Sequence, residues 1–95
     1  MLSSKQKKFL KKEAHDLKPI IQIGKDGLSN NSFITINQAL KAHELIKVSM
    51  LQTCPSEPEE IILDVLARCH CELVFKIGRT LIFYKASKEK LYQLP

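Results

Sequence analysis

The chain has 95 residues, 44% of them hydrophobic, with four prolines, three glycines and a formal net charge of +5. This length predicts one domain spanning residues 1–95, and the composition excludes a disordered or fibrous chain. No apolar run nears the ~20 residues that span a bilayer, and the charged start lacks the apolar stretch of a secretory signal, so a soluble cytoplasmic monomer with no membrane partner is expected.

Ser3 and Gln6 have the spacing of a capping box and open a predicted helix. Phe9, Leu10, Ala14 and Leu17 recur near the 3.6-residue period, while Lys5, Lys7, Lys8, Lys11 and Lys12 fill the other faces. This helix is expected to stop before Lys18-Pro19, because a residue preceding proline is pushed out of the helical region. Ile20 to Ile23 reads as a short buried strand, followed by the loop Gly24-Lys25-Asp26-Gly27. Ser29 is the expected cap of a second helix reaching about Ala42, with Phe33, Ile36 and Leu40 at helical spacing.

Leu45 to Leu51 alternates as a strand with Lys47 and Ser49 on the wetter face, and Thr53-Cys54-Pro55 breaks it. Ser56 is expected to cap a third helix, with Pro58 in the first turn and acids near the positive dipole end. Ile61, Ile62, Val65, Leu66 and Cys69 form its apolar stripe. Leu73 to Ile77 and Thr80 to Tyr84 flank Gly78-Arg79, a two-residue hairpin turn with glycine first. Residues 86–95 read as a polar tail with no evident partner. The order α-β-α-β-α-β-β predicts a compact α/β domain, two-layer or sandwich, around a mixed four-stranded sheet.

Charge is unevenly distributed. Residues 1–25 carry +5, residues 26–52 balance, residues 53–72 carry −4 and residues 73–95 carry +4. If the two basic ends meet in space they form one basic face, which suits a polyanion; a scattered solvated surface is the other reading. The acidic segment has a structural reason, since much of it is helix-start chemistry.

Gly24-Lys25-Asp26-Gly27 is the most informative spot. Glycines between a strand and a capped helix let backbone amides approach a phosphate, with Lys25 adding charge, as in the Gly-x-x-Gly loops that grip nucleic-acid backbones. A plain tight turn explains the same four residues, and the carboxylate of Asp26 at the tip opposes phosphate. A nucleotide-triphosphate loop is excluded, because the Gly-Lys-Ser/Thr ending is absent. Cys54, Cys69, His70 and Cys71 lack the paired spacing of a zinc site, and an odd cysteine count predicts reduced core thiols. No nucleophile has a base at meaningful spacing, so neither catalysis, metal nor cofactor is expected. Phe9, Phe33 and part of the hairpin's rings are expected in the core, leaving at most one or two for base stacking.

Lys5-Gln6-Lys7-Lys8-Phe9-Leu10-Lys11, Ala14-His15, Leu17-Lys18-Pro19, Gln22-Ile23-Gly24-Lys25 and Gly27-Leu28 together resemble the CRM domain (chloroplast RNA splicing and ribosome maturation). Ala39-Leu40, Glu44 to Val48, and Ile77-Gly78-Arg79-Thr80 with Tyr84 extend the likeness over nearly the whole chain, in the manner of the stand-alone bacterial YhbY-like branch. The resemblance implies a fold similar to the C-terminal domain of translation initiation factor 3. It also implies RNA binding through the Gly-x-x-Gly loop and adjacent basic surface, on precursors of the large ribosomal subunit. Gly24, Lys25 and Gly27 carry the loop role, and Lys18, Lys47 and Arg79 occupy motif positions where a basic side chain recurs. Asp26 stands where a neutral or small residue is often found.

The sequence reading is therefore a non-enzymatic protein that binds ribosomal RNA and assists large-subunit assembly. The loop would clamp the backbone while Lys5, Lys8, Lys11, Lys12, Lys18, Lys47 and Arg79 neutralise phosphates. The alternative is an adaptor that docks on ribosomal or assembly proteins through the acidic third helix and has weak, non-specific RNA affinity.

Overall fold

In the computed structural model, which describes residues 2–86, 92, 94 and 95, the elements follow the predicted order. They are α1 (Ser4–Ala14), β1 (Ile21–Ile23), α2 (Asn30–His43), β2 (Leu45–Met50), α3 (Pro58–Cys69), β3 (Glu72–Ile77) and β4 (Thr80–Tyr84). Ser3 caps α1 as its spacing predicts: Gln6 N donates to Ser3 Oγ at 3.1 Å, and Ser3 N donates to Gln6 Oε1 at 2.9 Å. Ser29 and Ser32 make the same reciprocal pair at the start of α2.

Two helix boundaries differ from expectation. α1 ends at Ala14 rather than at Leu17, because Leu17 N bonds Ala14 O at 3.0 Å in a tighter turn. That turn lays Leu17 against the apolar cluster beneath α1. Glu57, not Ser56, is the N-cap of α3, and it makes no side-chain cap bond. Pro58 at the first helical position holds its predecessor extended (φ −74°, ψ 154°), which makes that predecessor the half-in residue.

The sheet order is β1-β2-β4-β3, with β1 parallel to β2 and both β2·β4 and β3·β4 antiparallel. The hairpin thus inserts its second strand, β4, beside β2 and leaves β3 at the edge. Strand alternation sends Ile46, Val48, Met50, Leu81 and Phe83 into a core shared with Ile36 and Leu40 of α2 and Ile61 and Val65 of α3. The opposite face sends Leu45, Ile82 and Tyr84 into a second core with Leu10 and Ala14 of α1. Of the two arrangements open in the sequence the chain adopts the sandwich: one helix on one face, two on the other. Leu10 and Ile82 are each almost fully buried, a contribution of roughly 1.5–3 kcal/mol per side chain.

The register of β3 shifts between Leu73, opposite Phe83, and Phe75, opposite Ile82. The extra residue of this bulge is Val74, which packs in the α1 core. The tail lies largely outside the described residues, but its described members are not without partners. Tyr92 and Leu94 pack on the α1 core, and the Tyr92 ring meets Tyr84 edge-on at 6.4 Å. These apolar side chains interrupt a polar composition and follow the burial that composition hides.

Candidate nucleic-acid interface

The topology brings three segments together. Because β1, β2 and β3 are mutually parallel and β4 runs against them, the loop after β1, the segment after β2 and the turn between β3 and β4 share one end of the sheet. Hydrogen bonds tie them. Leu51 N donates to Ile23 O at 2.8 Å, and Met50 N donates to Arg79 O at 2.7 Å. Arg79 Nη1 donates to Leu51 O at 3.3 Å. A Cβ on Gly24 would stand 3.4 Å from Leu51 Cδ1, so Arg79 reaches the Gly-x-x-Gly loop through a single intervening residue.

The loop is a closed turn. Gly27 N donates to Gly24 O at 3.0 Å, and Gly27 has φ +66°, a left-handed conformation that glycine adopts without strain. Lys25 and Asp26 form its exposed tip. The Gly27 amide is therefore spent inside the turn, contrary to the expectation that both glycine amides face a ligand. At the start of α2 the Ser32 amide is likewise taken by Ser29 Oγ at 3.3 Å.

The basic side chains fall into separate groups. Lys11 stands on the flank of α1 toward the hairpin, its Nζ 3.7 Å from the centroid of the Phe75 ring. Lys5, Lys8 and Lys12 are exposed on the same helix. Lys18 and Lys47 line an open cleft of about 550 Å³ with His43, Leu17 and Leu45, and Ile20 N bonds Lys47 O at 2.8 Å. This cleft is at the start of β2, away from the loop end.

The two basic chain ends adjoin at Lys11 and Phe75, but the C-terminal basicity does not form one face. Lys76 turns to the other side of the sheet and pairs with Glu59 of α3 at 2.6 Å. That hydrogen bond holds the Glu59 carboxyl below its ordinary value. Lys85 Nζ donates to Cys69 O at 3.1 Å, at the end of α3. Lys88 and Lys90, counted in the basic segment, lie outside the described residues.

The three cysteines are buried free thiols. Burial pushes Cys69 upward, and Cys71 is pushed up to about 12, chiefly by burial and then by neighbouring Cys69. Cys71 Sγ contacts Val65 O at 3.9 Å. Among the described residues no group of three or more His, Cys, Asp or Glu is arranged to hold a metal ion, and no helix is long and apolar enough to cross a membrane.

Sequence reasoning misses one feature of this surface. Gln22, Ser49, Thr80 and Ile77 are paired in that order across all four strands, forming a row on the α1 side of the sheet. None of the four belongs to the core beneath α1. Only the strand register reveals the row; no local pattern announces it.

A sandwich with lysines along one helix, and a glycine turn and an arginine turn at one sheet end, defines a small basic α/β domain suited to an anionic polymer. The chain belongs to the CRS1 / YhbY (CRM) domain family, whose model matches residues 2–85. It is similar to YqeI of Bacillus subtilis, named a probable RNA-binding protein, with 45% identity over the whole of both chains. An RNA-binding protein of Haemophilus influenzae is 38% identical, with 99% of this chain and 95% of that protein covered. The fold is that of a hypothetical Staphylococcus aureus protein solved in solution, which superposes with a TM-score of 0.83 at 36% identity and full coverage of both chains.

Proposed function

We propose that this protein is a non-enzymatic RNA-binding factor that associates with precursors of the large ribosomal subunit and assists their assembly. One observation carries the site: Arg79 and the Gly24–Gly27 turn are joined through Leu51 at one end of the sheet. RNA phosphates meet the exposed tip of the turn at Lys25, with Arg79 one residue away through Leu51. Lys5, Lys8, Lys11 and Lys12 extend the contact along α1, and Lys18 and Lys47 add a second one at the cleft. The adaptor reading gains nothing comparable, since Glu59 of the acidic helix is already engaged by Lys76.

The test is binding to precursor large-subunit RNA over a salt series, with the wild type and Lys25→Ala/Arg79→Ala, alongside co-sedimentation with precursor particles. Weaker binding by the folded variant, with a salt slope reduced by about 2, is expected for two lost phosphate contacts. A wild type that joins the particles yet binds no RNA favours the adaptor.

A further inference from the structure

We infer that the row Gln22–Ser49–Thr80–Ile77, together with Phe75, is a platform for the bases of single-stranded RNA. The inference rests on the RNA-binding reading and names what that reading leaves open: where the bases go once the backbone is held. The row crosses four strands, about 14 Å at the usual strand spacing. Gln22 is exposed and Ser49 and Thr80 are half-buried. Their amide and hydroxyl groups both donate and accept, as reading the edges of unpaired bases requires.

The β3 end of the row is apolar. Ile77 is 52% exposed and Phe75 37% exposed, on a sheet whose other aromatic side chains, Phe83 and Tyr84, are buried. The bulge explains this. Val74 takes the place under α1, and Phe75, next along and opposite Ile82, is left at the helix's rim. Large exposed apolar groups beside a polar row mark a contact surface, and cations around it select the partner. Lys11 lies over the Phe75 ring, Lys47 is opposite Ile82 in the same row as Phe75, and Arg79 follows two residues after Ile77. An exposed aromatic ring with one lysine against it and further cations on the same face of the sheet suits a base with its phosphates.

The experiment compares wild type, Phe75→Ala and Phe75→Tyr for binding to a single-stranded oligoribonucleotide and to its duplex, over a salt series. Phe75→Ala is expected to bind the single strand about tenfold more weakly with an unchanged salt slope, because stacking releases no counterions. Phe75→Tyr keeps wild-type affinity, and the wild type prefers the single strand to the duplex. Phe75 lies outside both core clusters, and a circular dichroism spectrum of each variant verifies that it is folded. If Phe75→Ala binds within twofold of the wild type, or if the duplex binds as tightly as the single strand, the platform is overturned while RNA binding stands. A wild type that binds neither RNA overturns both readings, and that arm shows the difference.

Discussion

The guanidinium of Arg79 donates to the carbonyl oxygen of Leu51 at 3.3 Å, and Leu51 is the residue whose side chain a Cβ on Gly24 would meet. An arginine of the hairpin turn and a glycine fifty-five positions earlier thus belong to one rim. The bond is exposed, so Arg79→Ala is expected to lower stability by no more than about 1 kcal/mol. Its effect on RNA binding is larger: weaker affinity and a salt slope reduced by about 1. Arg79→Lys keeps the charge and most of the slope but not the planar bond to Leu51. Urea denaturation and salt-dependent binding on the same samples separate the two effects.

The two loop glycines respond differently to alanine. Gly27 has φ +66°, where a side chain costs roughly 1–2 kcal/mol, so Gly27→Ala lowers the urea midpoint. Gly24 has ordinary backbone angles, and its added Cβ meets only the end of the exposed Leu51 side chain at 3.4 Å. Gly24→Ala is therefore expected within about 0.5 kcal/mol of wild type. If a phosphate approaches this backbone, the same substitution weakens RNA binding. Affinity unchanged in the stable Gly24→Ala variant would place the phosphate elsewhere on the loop.

Element type was readable because local signals agreed: the Ser3/Gln6 box, the Phe33–Ile36–Leu40 spacing and the Gly78-Arg79 turn each specify their own backbone. Gly78 has φ +57° and Arg79 does not share the positive sign, as a II′ hairpin turn requires. Sheet order was not readable, since inserting β4 rather than β3 beside β2 depends on which hairpin strand is buried on both faces. Phe75 shows the limit most sharply. Period-two alternation pairs Phe75 with Leu73, and the bulge at Val74 cancels that alternation within one residue. Lys76 shows the same limit for charge, because composition counts it as a basic site while the fold gives it to Glu59.

That pair makes Lys76 a control for the proposed interface. Lys76→Ala is expected to leave RNA affinity and salt slope unchanged, unlike Arg79→Ala three residues on. The Lys76 hydrogen bond lowers the Glu59 carboxyl from 4.5, so the pair's stabilisation is present above that unfolded value and is lost as pH falls through the lower folded one. Carbon-detected NMR titration of Glu59 checks the sign: the midpoint moves back toward 4.5 in Lys76→Ala. A drop in RNA affinity in this variant would mean that the α3 side of the sheet also meets RNA.

The buried thiols predict behaviour at the alkaline end. Cys71 is pushed from 9.0 up to about 12 by burial first and by Cys69 second, and Cys69 and Tyr84 shift in the same direction, again chiefly through burial. An unfolded thiol loses its proton at a lower pH than the folded one. The folded state thus binds more protons between about 9 and about 12, and stability falls with rising pH across that window while staying flat below it. The urea midpoint is expected to be level from pH 7 to 8.5 and to decline from pH 9.5 to 11. Thiolate is the reactive form, so a thiol reagent at pH 8 should label Cys69 and Cys71 only at the rate at which the protein opens. Labelling that slows in step with added stability, for example on saturation with RNA, is the expected result. Rapid labelling of the native protein without RNA would mean that α3 and the start of β3 open far more readily than their packing implies.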